Sequence, residues 1–282
     1  LIHGIKTAIA KLEPARMAAG TGMSKANMNR RARDSDGRVL LGLNPDAPVD
    51  RTIGLIRLER PAGTMIALIA NYAMHGTVLG GVREISGDAP GVVATYVEQK
   101  LGVPMLYING AAGNIGPIYF FNAGFQNLPR FNVLLGDHIL AANRLMRADN
   151  GEEPTLQLEE KIVETARKPE IPWPQELADY RRTNSSGVEV VRIPVRFLKL
   201  RGDTVLWAAP LELFCEIAIR IRDESPFPNT FYFGYANGWL GYMPTQEEMK
   251  AGGYEANVSP YTGNAERDFG NAVIQHLNGM RR

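Results

Sequence analysis

Four polar signals in this sequence each follow an apolar run of strand-like character. The run 65–74 leads to His75, and 103–108 leads to a glycine-rich loop at 109–117. The run 204–209 leads to Glu212, and 230–235 leads to the segment 237–242, which ends on Tyr242. An imidazole, a carboxylate, a phenol and a glycine loop brought together are the outline of an enzyme site, and most simply of a metal site. In an α/β sheet, ligands sit in the crevice beyond the carboxyl ends of the strands, so the four strands must be neighbours for the parts to meet.

Each signal taken alone has a plainer reading. His75 fits a hydrogen-bonded core histidine as well as a metal ligand. Glu212 reads as a carboxylate in the first turn of a helix, where the helix dipole favours it. Tyr242 fits loop packing, and the loop 109–117 fits a tight turn after a strand. That loop has the glycine density of an anion cradle but lacks the Walker lysine and the dinucleotide-binding spacing, which argues against nucleotides. His138 and His276 fall on amphipathic helices as surface or packing residues. Cys215, in an apolar stretch, reads as a small buried hydrophobe.

Composition fits an ordinary globular chain: 282 residues, 45% hydrophobic and 22% charged. A formal net charge of +1 gives no overall attraction to nucleic acid or anionic membrane, and Arg30, Arg31 and Arg33 read as a solvated loop. A single cysteine excludes a disulfide within the chain and a cysteine-rich zinc site. No apolar run approaches the roughly 20 residues of a membrane span.

The elements that must position the four signals alternate along the chain. The segment 1–12 has helical apolar spacing with no capping residue or signal peptide before it, as if it began mid-structure. Strands are predicted at 52–60 and 64–74 around a Pro-Ala-Gly turn. A helix is predicted from Asp88, as its cap, with Pro90 in its first turn. A strand at 103–108, a helix at 132–147, and β-rich stretches at 156–165 and 188–199 follow. Between the last two, 167–187 carries prolines and polar residues and reads as a long surface excursion. A strand at 204–209, a helix at 211–223, a strand at 230–235, a short helix near 246–251 and a final helix from Glu266 complete the pass. With no repeat or linker, the expectation is one α/β domain of mixed β-sheets flanked by helices.

In combination these segments resemble the amino-terminal catalytic domain of the neutral/alkaline non-lysosomal ceramidases. Asn27-Met28-Asn29-Arg30 resembles that family's Asn-Arg segment. Ala73-Met74-His75-Gly76-Thr77 with Ser86-Gly87-Asp88 resembles its histidine block, and Gly110 through Pro117 its nucleophile loop. Ala209-Pro210-Leu211-Glu212 resembles its Pro-Gly-Glu block. Asn237 to Tyr242, then Gln246-Glu247-Glu248 and Gly253-Tyr254-Glu255-Ala256, resemble its tyrosine block. The resemblance implies a zinc hydrolase cutting the amide bond of N-acylated sphingoid bases, and weakly a secreted or periplasmic setting. His75, Glu212 and Tyr242 would be metal ligands, Arg30 and Tyr254 would contact substrate or stabilise the oxyanion, and Gly113, Asn114 and Gly116 would form the catalytic loop.

Two departures from the family pattern shape the expectation. A further zinc histidine of the family lies in a His-x-His segment upstream of Leu1, and His3 is no substitute, so part of the metal site would lie outside this chain. Gly116 stands where the family carries its nucleophilic serine, so any hydrolysis would proceed by direct attack of activated water. The family's carboxy-terminal immunoglobulin-like domain is expected to lie outside 1–282. The leading function is zinc-dependent hydrolysis of a ceramide-like lipid amide. A metallohydrolase of a smaller amide or ester, and a non-catalytic binding protein with a partial site, stay open beside it. The expected partner is a small-molecule or lipid amide, with no nucleic acid and no integral membrane segment.

Overall fold

Two strand–helix–strand units with parallel strands set the frame. The structure is a computed structural model that describes residues 1–121, 123–148 and 156–281. The first part contains α1 (Ile2–Ala10), β1 (Arg16–Met23), β2 (Asn27–Arg33), β3 (Val39–Asn44), β4 (Thr52–Glu59), β5 (Met65–Tyr72), α2 (Asp88–Leu101), β6 (Met105–Asn109) and β7 (Ile115–Pro117). A π-helical turn at 132–137 runs into α3 (His138–Leu145). Then come β8 (Gln157–Ala166), β9 (Arg181–Thr183), β10 (Glu189–Arg201), β11 (Thr204–Ala208) and β12 (Glu212–Leu213). The chain continues with α4 (Cys215–Asp223), β13 (Asn229–Phe233), β14 (Tyr242–Met243), α5 (Gln246–Ala251), α6 (Tyr254–Val258) and α7 (Ala265–Met280).

The first large sheet runs β1-β4-β5-β6, and the second runs β13-β11-β10-β8 with β9 beside β10. Each sheet mixes antiparallel pairs with one parallel pair, β5 with β6 and β11 with β13. The parallel pairs are bridged by α2 and α4, as a parallel connection requires. Strand alternation gives each sheet two apolar faces. In β4, Ile53 and Leu55 join Val93 and Val97 of α2 and Ile139 of α3 in one core. Ile56, on the opposite face, joins Met17, Leu206 and Phe231 between the two sheets. Phe197, Val205 and Trp207 then face Ile217 of α4 and Phe269, Val273 and Leu277 of α7. The layers are therefore helix, sheet, sheet, helix, and the expected mixed-sheet α/β class is observed.

Gly54 sets how closely the sheets approach. A Cβ there would stand 2.5 Å from the ring of Phe231, so the ring fills the space where any other residue would put its side chain. Asn71 adds a polar tie, donating from Nδ2 to Tyr232 O (2.9 Å) and Ile108 O (3.2 Å). The N–H of Gly234 donates to Asn109 O at 2.9 Å and joins the carboxyl ends of the two parallel pairs.

Three sequence expectations change. The segment 16–44 holds three strands that periodicity alone did not mark. The arginine cluster lies on β2, with Arg30 and Arg31 buried rather than solvated. Glu212 is not in the first turn of a helix: it lies on β12, and α4 begins only at Cys215. The excursion at 167–187 carries a 3₁₀ turn at Gln175–Tyr180 and the short strand β9. No helix among the described residues is long and apolar enough to cross a membrane.

Candidate active site

The site is assembled where the carboxyl ends of the two parallel pairs meet. His75 follows β5 and is fixed twice by one carbonyl: its backbone N–H (3.1 Å) and its Nδ1 (3.0 Å) both reach Ile115 O on β7. A carbonyl only accepts, so Nδ1 carries a proton, and Nε2 is the ring nitrogen turned toward Glu212. The loop after His75 is held by Asp88. Its carboxylate accepts from the N–H groups of Val78 (3.1 Å) and Leu79 (3.0 Å) as well as Ala89 (2.7 Å). Gly87 rather than Asp88 stands at the helix boundary, and Asp88 adopts φ +50° to make this clamp.

Glu212 comes from the segment that follows β11 of the second sheet. β12 and β14 form a two-residue parallel pair whose register sets Glu212 directly opposite Tyr242. The Glu212 N–H donates to Gly241 O (3.0 Å) and the Phe214 N–H to Met243 O (3.1 Å). Glu212 Oε2 lies 2.9 Å from His75 Nε2. Tyr235 adds a phenol, its hydroxyl 3.0 Å from Glu212 Oε2 and 3.2 Å from His75 Nε2. The indole N–H of Trp239 donates to the other carboxylate oxygen at 2.8 Å, and Tyr242 also hydrogen-bonds the carboxylate. Burial alone would raise the Glu212 pKa; the hydrogen bonds from His75, Tyr242 and Trp239 outweigh it and hold the group at about 2. Burial raises the phenols of Tyr235 and Tyr242 above the ordinary tyrosine range.

Tyr235 is held in a backbone conformation that side chains avoid. Its φ is +56°, and Asn237 two residues later has φ +63°. For a residue with a Cβ the left-handed region costs roughly 1–2 kcal/mol. Such outliers persist only where the surroundings impose them, and they gather at functional sites.

Arg30 and Tyr254 flank Tyr242. One Arg30 Nη lies 3.2 Å from the Tyr242 hydroxyl and 2.9 Å from Gly113 O, and the guanidinium carbon sits 5.6 Å from the Tyr242 ring centre. Its Nε donates to Glu255 Oε1 at 2.9 Å, while Arg31 reaches the other oxygen of Glu255 at 2.6 Å. Glu255 is fully buried, so these pairs lock β2 to α6. Tyr254, the first residue of α6, meets the Tyr242 ring edge-on with centres 5.7 Å apart and is half exposed.

The loop 109–117 is closely tied to its surroundings. A Cβ on Gly113 would lie 2.5 Å from Glu212 O, so only glycine lets the loop lie flat on β12. The Gly113 N–H donates to Leu213 O, and the Asn114 amide accepts from the Cys215 N–H and donates to Glu216. Gly116 lies on β7, and a Cβ there would stand 2.7 Å from the Phe120 ring. The place where a hydroxyl-bearing side chain would point is filled by Phe120.

The structure thus gathers His75, Glu212, Tyr242 and Arg30, with Tyr254 at the edge and Gly113, Asn114 and Gly116 as the wall beneath. Sequence reasoning passed over Tyr235, Trp239 and Glu255. Tyr235 reads as the last apolar residue of a strand; its place just before an Asn-Gly pair in the tyrosine-rich block was the available signal.

A ceramidase-like fold is the class that emerges from comparison with solved structures. The neutral ceramidase from Pseudomonas aeruginosa superposes with a TM-score of 0.74 at 16% identity, over 99% of this chain and 54% of that one. A ceramidase complexed with C2 gives a TM-score of 0.70 at 16% identity, over 98% of this chain and 55% of that one. The chain therefore spans about half the length of these structures. No protein-family model matches the sequence, and no curated protein matches it.

Proposed function

We propose that this protein is a zinc-dependent hydrolase of an amide bond, with an N-acyl lipid of the ceramide kind as its substrate class. The observation that carries the metal reading is the convergence of His75 Nε2 and the Glu212 carboxylate at 2.9 Å, with Nδ1 already committed to a carbonyl. A histidine whose second nitrogen is tied to a backbone carbonyl is in the state that metal ligation selects. Among the described residues no three His, Cys, Asp or Glu side chains gather, and the further donor set opposite Glu212 is the Tyr242 phenol. Imidazole nitrogen and carboxylate oxygen suit zinc.

His75, Glu212 and Tyr242 would hold the ion. When bound, zinc polarises the amide carbonyl and activates a water as the nucleophile. Arg30, with its guanidinium on the Tyr242 hydroxyl, and Tyr254 beside that ring offer cationic and hydroxyl donors to a developing oxyanion. Trp239 holds the Glu212 carboxylate on one side and lines an apolar groove on the other. That groove, of about 140 Å³, is walled by Pro172, Trp173, Leu177, Trp239, Val258 and Pro260. Its position beside the carboxylate favours a substrate with an alkyl chain over a small polar amide.

The test is a panel of fatty-acyl and short-acyl amides assayed with the zinc-loaded and chelated protein. Turnover of the fatty-acyl amides that chelation abolishes is expected; turnover unaffected by chelation rules the reading out. With Phe120 occupying the space above Gly116, Gly116→Ser is expected to lose about 1–3 kcal/mol of stability through overpacking. It should yield no acyl-enzyme by mass spectrometry. A covalent acyl adduct on any serine of the wild type would overturn direct attack by water.

A further inference from the structure

We propose that Tyr235 is itself a ligand of the metal centre, supplying a second phenol oxygen beside that of Tyr242. This rests on the zinc reading above and adds a donor to it. The phenol oxygen of Tyr235, Nε2 of His75 and Oε2 of Glu212 form a nearly equilateral triangle with sides of 3.2, 3.0 and 2.9 Å. Zinc bonds of about 2.0–2.1 Å in tetrahedral geometry separate ligand atoms by about 3.3 Å, so the triangle is close to one face of that figure. With Nδ1 on Ile115 O, a cation at the centre of the triangle would draw on Nε2, the carboxylate oxygen and the phenol oxygen together.

The backbone carries the second argument. Tyr235 leaves β13 in the left-handed region, with its N–H on Leu211 O at 3.4 Å and the next N–H on Ala209 O at 3.2 Å. Held in that turn, the side chain sets its oxygen at the triangle. Its ring also meets His75 edge-on, with centres 6.4 Å apart, which fixes the phenol's approach.

The experiment is metal titration of the whole chain, comparing wild type with Tyr235→Phe and Glu212→Gln. Zn²⁺ affinity is read by calorimetry, the Co²⁺ adduct by its visible absorption, and folding by the Tm of each metal-free protein. The zinc-induced rise in Tm is taken within each variant, so altered metal-free stability does not distort the comparison. One ion per wild-type chain is expected. In Tyr235→Phe, affinity should fall at least tenfold, the cobalt bands should change in intensity, and the zinc-induced rise should shrink. Unchanged affinity and an unchanged cobalt spectrum in Tyr235→Phe would overturn the ligand role of Tyr235 and leave the zinc reading standing. A wild type that takes up neither ion, or a Glu212→Gln variant that binds as the wild type does, would overturn both.

Discussion

Glu212 and Glu216 stand four residues apart in one segment, both largely buried, and their surroundings drive them in opposite directions. Glu212 faces an imidazole, two phenols and an indole N–H, and is held ionised at about 2. Glu216, one residue into α4, has the Asn114 amide at 2.8 Å and the Cys215 thiol at 3.3 Å. Burial dominates there and pushes its carboxyl above the usual range, with the charge of Glu248 adding to the rise. Cys215 is raised in turn, by burial first and then by Glu216, so it is an inert thiol. Residue type does not distinguish the two glutamates. The number and kind of donors brought to each from elsewhere in the chain does.

The largest expected break in this contrast comes from Glu212→Gln. Removing the charge from the donor triangle should cost at least 100-fold in zinc affinity and in turnover, beyond the 10–100-fold typical of residues that only support a ligand. Calorimetry and steady-state kinetics check it, and wild-type affinity in this variant would end the assignment of Glu212.

Trp239→Phe sharpens the comparison by removing one donor and leaving the carboxylate. About a tenfold loss of zinc affinity is expected, the low end for a residue that orients a ligand. The smallest effect is expected at Glu216. Its folded-state pKa is raised, so over the window above the ordinary carboxylate range the folded protein binds a proton that the unfolded chain releases. Stability therefore falls as pH rises through that window. Glu216→Gln removes the penalty: its Tm should exceed that of the wild type at pH 7, and the gain should shrink as pH is lowered through that same window toward the ordinary carboxylate range. A Glu216→Gln protein less stable than the wild type at pH 7 would show that the carboxylate is needed there.

The sheet strands at 52–59, 65–72, 204–208 and 229–233 and the helix from Asp88 were legible because their apolar patterns are local. β2 was not. Its Arg30 and Arg31 look solvated until Glu255, 225 residues away from Arg30, is seen between them. β12 hid for a related reason. A two-residue strand exists only through its partner β14, and the apolar residues Leu211, Leu213 and Phe214 read as the start of a helix. Tyr235 was overlooked because a left-handed tyrosine leaves no mark in periodicity. What the sequence could not carry was pairing at long range, where tertiary contacts override local propensity.

The glycine beneath Phe231 has a consequence for how the site fails. His75 follows β5 of the first sheet, while Glu212, Tyr235 and Tyr242 lie on segments that follow β11 and β13 of the second, so the gap between the sheets bears on the gap across the donor set. Gly54 works as a thickness gauge for that gap: a methyl group there must push Phe231 and its strand outward. The site is then the part of the molecule most sensitive to wear along that seam. A loosening along that seam widens the 2.9 Å separation of imidazole and carboxylate before it melts either sheet.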